Sequence, residues 1–191
     1  MTHATREAWL CAATDALRPS YGAAGFPLPE VRLAVGFPSR WARGGKRLRL
    51  GECWPAAAAA DGIAQAYVTP LLGDPVEILA VLVHELAHAA TPGAGHRGPF
   101  KRLARELGLE GKMTATHAGS ELAERLGVLA DELGPLPHGA LSASARKKQS
   151  TRMLKLTCPC GMLARASRGA IDEHGAPAYC GEPMALEDGG E

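Results

Sequence analysis

Long apolar runs are missing from this sequence. No segment of its 191 residues approaches the ~20 uninterrupted apolar positions needed to cross a bilayer. The opening Met-Thr-His-Ala-Thr-Arg-Glu-Ala-Trp lacks the apolar stretch of a signal peptide. The expectation is a soluble, cytoplasmic protein with no membrane partner. An excess of one charge sign is missing too: 21 Lys+Arg against 20 Asp+Glu leave a formal net charge of +1. No global field therefore draws the chain to nucleic acid, and any such argument must come from local clusters. Cysteine is scarce and odd in number. Of the five, Cys158, Cys160 and Cys180 fall in the last quarter, which suits metal ligation better than a disulfide framework. Cys11 and Cys53 read as buried free thiols.

Acidic residues are absent from two stretches that are rich in base. Between Val31 and Gly51 lie Arg32, Arg40, Arg43, Lys46, Arg47 and Arg49, of which the Arg40 to Arg49 segment reads as a solvated basic loop. Leu133 to Ile171 holds seven Lys/Arg and no acid. Acid gathers elsewhere, including the tail Glu187-Asp188-Gly-Gly-Glu191. A hydrophobic content of 46% in 191 residues provides for one core of ordinary size and a small appendage.

Apolar spacing predicts a first helix over Thr5 to Leu17, ended by Arg18-Pro19. Alternation predicts strands over Val31 to Phe37, Gly51 to Pro55 and Ile63 to Thr69, with the alanines 56–60 as a connection. The Ile63 to Thr69 strand would rim the site described next and pair with an extended peptide.

Val83-His84-Glu85-Leu86-Ala87-His88 reads H-E-x-x-H. On a helix the i, i+4 spacing puts His84 and His88 on one face, about 6 Å apart at Cβ, where two imidazoles can share a tetrahedral Zn²⁺. Glu85 is placed to take a proton from water rather than to ligate. Asp74 is a good N-cap, Pro75 suits the first helical position and Glu77 completes a capping box, so the helix should run from Pro75 to about Ala90. Ile78, Leu79, Val81, Leu82, Val83 and Leu86 surround it with apolar surface. Burying a carboxylate and two histidines there costs several kcal/mol unless they are paired or bound to metal.

A third ligand must follow. The metzincin spacing would place Gly at 91 and His at 94, where this chain has Thr91 and Ala94. His96, after the turn Thr91-Pro92-Gly93-Ala94-Gly95, and Glu106, inside a second helix opened by Pro99, remain. A histidine at a glycine-flanked helix entrance turns back on the first helix with little strain, which favours His96. His117, ahead of a third helix over Gly119 to Leu133, is a further candidate to approach the metal or an oxyanion.

His84-Glu85-Leu86-Ala87-His88, followed by Gly95-His96-Arg97-Gly98-Pro99-Phe100 and a C-terminal Cys module, resembles the SprT-like (Spartan-related) zinc metallopeptidases, although the interval from His88 to His96 is shorter than theirs. The resemblance spans about Val31 to Leu109 and, more loosely, the C-terminal module. It implies that His84, His88 and His96 ligate a catalytic zinc and that Glu85 is the base. It also implies proteins on or near DNA as substrates.

Beyond Pro135 and Pro137, the stretch Ser142 to Ser150 has linker composition. Met153 to Gly161 reads as a strand entering a metal-binding turn. Cys158, Cys160 and Cys180 converge as in a zinc ribbon, with His174 the nearest fourth ligand to a structural Zn²⁺. Arg165 and Arg168, with Arg146, Lys147, Lys148, Arg152 and Lys155, give linker and ribbon a surface suited to DNA phosphates.

The fold expected is α+β: a small zincin-like domain with a short antiparallel sheet packed on a central H-E-x-x-H helix, followed by a small zinc ribbon. The divisions are 1–136 for the peptidase domain, 137–152 for the basic linker and 153–191 for the ribbon with its acidic tail. A DNA-binding or regulatory zinc protein with a purely structural H-E-x-x-H site, and a zinc hydrolase acting on something other than peptide, are the competing classes.

Overall fold

The computed structural model describes residues 2–38, 48–142, 145 and 153–186. The chain is mixed α+β and divides into two compact units, Met1–Ala143 and Ser144–Glu191. Arg40, Arg43, Lys46 and Arg47 of the basic loop, Arg146, Lys147, Lys148 and Arg152 of the linker, and the acidic tail lie outside the described residues.

In the first unit, α1 (Arg6–Ala23) opens on Thr5, whose hydroxyl accepts from Ala8 N at 3.1 Å. It does not stop at Arg18 as the sequence suggests but runs on through Pro19. Proline removes one intrahelical bond. Tyr21 offsets that loss: its ring is fully buried and its hydroxyl donates to Val83 O at 2.7 Å.

Strands β1 (Val31–Val35), β2 (Gly51–Trp54) and β3 (Ala64–Val68) form one sheet in the order β1-β3-β2. The sheet is mixed, not antiparallel as expected. β1 runs parallel to β3 from Val31↔Ala64 to Val35↔Val68, and β2 runs antiparallel to it from Gly51↔Val68 to Trp54↔Gln65. β1 and β2 therefore flank β3 on opposite edges. With both edges of β3 paired, the strand expected to rim the cleft is interior, and β2 takes the edge. Ala64, Ala66 and Val68 alternate into the core.

α2 (Pro75–Ala90) begins where its capping residues require: Asp74 accepts from Glu77 N at 2.8 Å, with Pro75 in the first turn. Leu79, Leu82 and Leu86 are fully buried, each adding about 1.5–3 kcal/mol by leaving water. α3 (Gly98–Glu106) sends Phe100, Leu103 and Ala104 into the same core, and α4 (Ser120–Leu133) sends Leu122, Leu126 and Leu133. Between α3 and α4 stands a hairpin absent from the sequence reading, β4 (Leu109–Lys112) and β5 (Ala115–Ala118), joined by Met113-Thr114.

Residues 137–141, expected to open the linker, are bound into this unit. Buried Arg6 donates to Leu72 O, Pro137 O and His138 O at 2.9, 3.1 and 3.2 Å. Leu141 N donates to Pro70 O at 2.9 Å.

The second unit has a three-stranded antiparallel sheet in the order β10-β6-β7, with β6 (Leu154–Thr157), β7 (Leu163–Ala166) and β10 (Ala185–Leu186). It also holds α5 (Arg168–His174) and the pair β8 (Ala178–Tyr179) and β9 (Glu182–Pro183). Its buried core is Leu156, Cys158 and Met184. Among the described residues no helix is long and apolar enough to cross a membrane.

Candidate metal centre

Helical geometry brings the first two ligand candidates together. On α2 the His84 and His88 rings lie 5.0 Å apart, centroid to centroid. After α2 the chain turns sharply. Thr91 closes the helix by donating its hydroxyl to Ala87 O at 2.7 Å, and Gly93, Gly95 and Gly98 all take positive φ (76°, 56° and 46°), a region that favours glycine. That turn returns His96 to within 4.6 Å of the His88 ring and 5.4 Å of His84. His88 Nε2 and His96 Nε2 stand 3.2 Å apart, and one nitrogen from each of the three histidines lies within 4.8 Å of the others. A tetrahedral Zn²⁺ with N ligands at ~2.0–2.1 Å asks for nitrogens about 3.4 Å apart. The group fits a metal ion.

Phe100 orders the three rings. Fully buried at the start of α3, it stacks on His88 at 4.2 Å and 21°, and meets His84 and His96 edge-on at 5.0 and 5.1 Å. Thr116, on β5, bonds His84 Nδ1 through its hydroxyl at 2.8 Å. With Nδ1–H donating to Thr116, the His84 Nε2 lone pair is left for a metal. Strand alternation turns His117 to the opposite side, where it is exposed, so the neighbour of the residue singled out from sequence is the one that reaches the site. Glu106 is likewise exposed and stands outside the group.

Glu85 is only 6% exposed. β2 lies directly on it: a Cβ at Gly51 would sit 2.6 Å from Glu85 Oε1, 2.7 Å from its Cγ and 2.8 Å from Val81 Cγ1, so any side chain at 51 would displace the carboxylate or the strand. Burial raises Glu85 to about 8, against a pull downward from Arg49 and a smaller push upward from Glu52. Burial moves the imidazoles the other way, His84 to about 3, helped by His88 and His96, and His88 to about 4, helped by His96; His96 is lowered by burial and then by Arg49. All three are neutral, ligand-competent bases near pH 7.

These groups open on a cleft of about 680 Å³ walled by β2 and its approach on one side and the β4–β5 turn on the other. Cys53, half-buried in that wall, is pushed up to about 12 by burial and then by Glu85, so it remains a thiol. Cys11, expected to be buried, is exposed on α1.

No family model, curated protein or solved structure matches this chain. What the site can do is read from its own geometry.

In the second unit, Cys158, Cys160 and Cys180 bring their sulfurs within 4.8 Å of one another, a second group that could hold a metal. The turn at Cys158 is closed by Gly161 N donating to Cys158 O at 2.8 Å, and Cys180 itself adopts φ +53°. Main-chain and thiol hydrogen bonds hold Cys160 below its ordinary value, while contact with Cys160 raises Cys180. His174 does not join them. It is exposed at the end of α5, 3.8 Å from the Glu173 carboxylate, and among the described residues no fourth donor completes the group.

Thr116 was not legible because its hairpin is built from short Gly-, Lys- and Ala-containing strands around a Met-Thr turn, none of which signals a strand. Thr116→Val, which keeps the shape and removes the hydroxyl, is expected to weaken metal binding about 10–100-fold; competition with a chelator measures it, and an unchanged affinity would show that Thr116 does not orient His84.

The metal-free protein should show a bell-shaped stability profile. His84 and His88 titrate at about 3 and 4 folded against 6.5 for the free side chain, so the unfolded chain takes up protons first and stability is lost as pH falls from about 6.5 toward 4. Glu85, at about 8 folded against 4.5 free, acts oppositely: the folded state keeps its proton longer, and stability is lost as pH rises from about 4.5 through 8. The chelator-treated protein is expected to melt highest near pH 6.5, and a melting temperature that keeps climbing below pH 5 would contradict the histidine assignment.

Proposed function

We propose that the chain is a zinc-dependent metallopeptidase of SprT-like type, with a zincin-like first unit and a zinc ribbon as the second. The observation that carries this reading is the convergence of His84, His88 and His96 within 4.8 Å, beside a buried carboxylate on the same cleft. A site built only for structure gains nothing from Glu85, which bears a desolvation cost and ligates nothing in the group.

Zinc held by the three imidazoles supplies Lewis acidity to a water molecule and to a substrate carbonyl. Glu85 accepts the proton of the attacking water on its carboxylate and then delivers it to the nitrogen of the leaving amine. A divalent cation held by the three histidines would lower Glu85 from its raised value toward the ionised form that can accept that proton. β2, as the edge strand beside the cleft, offers its main chain to an extended peptide, which would be held by strand addition.

Cys158, Cys160 and Cys180 would hold a second, structural zinc. Substrate proteins associated with DNA are supported by exposed Arg165 and Arg168 on this unit, next to the basic linker sequence.

Purified protein is expected to contain two zinc per chain. Glu85→Gln should keep both while casein hydrolysis falls about 10²–10⁴-fold; full activity in that variant, or a preparation without bound metal, would end the peptidase reading. The DNA contact has its own test. Charge reversal of Arg165 and Arg168 to Glu should lower affinity for a DNA duplex and reduce the slope of log K against log salt by about two; an unchanged slope would remove these arginines from the DNA contact.

A further inference from the structure

The approach to β2 carries a cation into the cleft. Leu50 O accepts from Thr69 N at 2.8 Å, so the chain is already paired alongside β3 before Gly51, and extended backbone turns residues two apart to one side. Gly51 rests on Glu85. Arg49 therefore shares Glu85's side of the strand, and it lines the same cleft as Glu85 and His96. Its reach to both is also felt electrostatically, since its charge opposes the rise of Glu85 and contributes to the lowering of His96.

Arg49 is held in advance. Its Nη1 donates to Glu52 Oε1 at 2.7 Å, and the Glu52 side chain is only 14% exposed. That bond uses one of the five N–H donors of a guanidinium. Amide hydrolysis needs a donor where charge grows, on the carbonyl oxygen as water adds to its carbon. The Thr91 hydroxyl is committed as a donor to Ala87 O, and the Thr116 hydroxyl, which accepts from His84, has only a neutral O–H to offer. Among the described residues lining the cleft, Arg49 alone bears a permanent positive charge.

We propose that Arg49 is a catalytic residue for the peptidase reaction, its guanidinium N–H donating to the substrate carbonyl oxygen as that oxygen becomes an oxyanion, with Glu52 as the residue that positions it. This inference rests on the peptidase reading. Arg49 forms no covalent bond and moves no proton. It offers fixed donors to charge that is larger in the transition state than in the ground state, so its contribution falls on kcat rather than KM. An arginine that only clamped a substrate carboxylate would bind both states alike and raise KM when removed.

The test uses the full-length, zinc-loaded protein with Arg49→Ala, Arg49→Lys and Glu85→Gln. Arg49→Ala should keep its zinc and its melting temperature, because the side chain is 43% exposed. It should lower kcat on casein about 10²–10³-fold while KM stays within about twofold. Affinity for a peptide phosphonamidate, a tetrahedral anion, should fall by a like factor, and Arg49→Lys should recover at least about tenfold of both losses. If Arg49→Ala instead raises KM at constant kcat, or leaves phosphonamidate affinity within about twofold, the oxyanion role is overturned. Those outcomes are separate from failure of the peptidase reading itself, which would appear as a wild type that hydrolyses no casein or a Glu85→Gln variant that hydrolyses it at full rate.

Discussion

Burial of two imidazoles and a carboxylate on one apolar helix is the constraint that the first unit is built around. α2 has Leu79, Leu82 and Leu86 packed fully into the core, and on the same helix it must carry His84, Glu85 and His88. Ionisable groups so placed cost several kcal/mol unless something compensates. Each neighbouring element shapes the environment of these groups. α3 brings Phe100 against all three histidine rings, β5 brings the Thr116 hydroxyl to His84, and β2 closes over Glu85 at Gly51, where a side chain would not fit. α1 contributes from behind, through Tyr21 on the Val83 carbonyl. The core elements and the site elements are the same elements.

The direction of the pKa shifts shows what remains uncompensated. Desolvation drives the histidines to their neutral form and Glu85 to its protonated form, so the metal-free site is a cluster of neutral bases beside a neutral acid. The three lone pairs of His84, His88 and His96 could hold a divalent cation, whose charge would favour the Glu85 carboxylate. Binding to the folded chain alone adds stability in proportion to the logarithm of metal concentration over Kd. Arg49 and Glu52 fit the same scheme, as an ion pair at the rim whose two charges pull Glu85 in opposite directions.

How much of this could be read in advance depended on whether the signal was local. Asp74, Pro75 and Glu77 define the start of α2 within four residues, and the H-E-x-x-H spacing with the glycine-flanked His96 is equally short-range, so both stood out. Signals that depend on distant partners did not. Pro19 looked like a stop because nothing near it announces that Tyr21 will be anchored 62 positions away on Val83. The strand over Ala64–Val68 looked like a cleft rim because strand order is a property of the whole sheet. Arg6, an ordinary surface residue by composition, is buried because three carbonyls from two distant segments converge on it. Thr116 went unseen for the same reason as its hairpin: the residues that make the turn carry no turn signature, and only the fold shows which hydroxyl faces α2.

The second unit places the opposite weight on its metal candidates. Its buried core is Leu156, Cys158 and Met184, with Ala164, Ala166, Ile171 and Ala176 packed around it, far too little apolar surface to offset the ordering of more than 30 residues. Cys158 belongs to that core and also to the thiol group with Cys160 and Cys180. Packing and ligation therefore share a residue. If these sulfurs take a metal as proposed, binding it and folding the unit are one event rather than two, because the turn at Cys158 and the loop at Cys180 come together only in the folded sheet. In the first unit a metal would add to a core that already exists, whereas here it would stand in for one. The two candidate centres thus differ in kind: removing metal from the histidines should leave a folded domain lacking its chemistry, and removing it from the thiols should leave no fold.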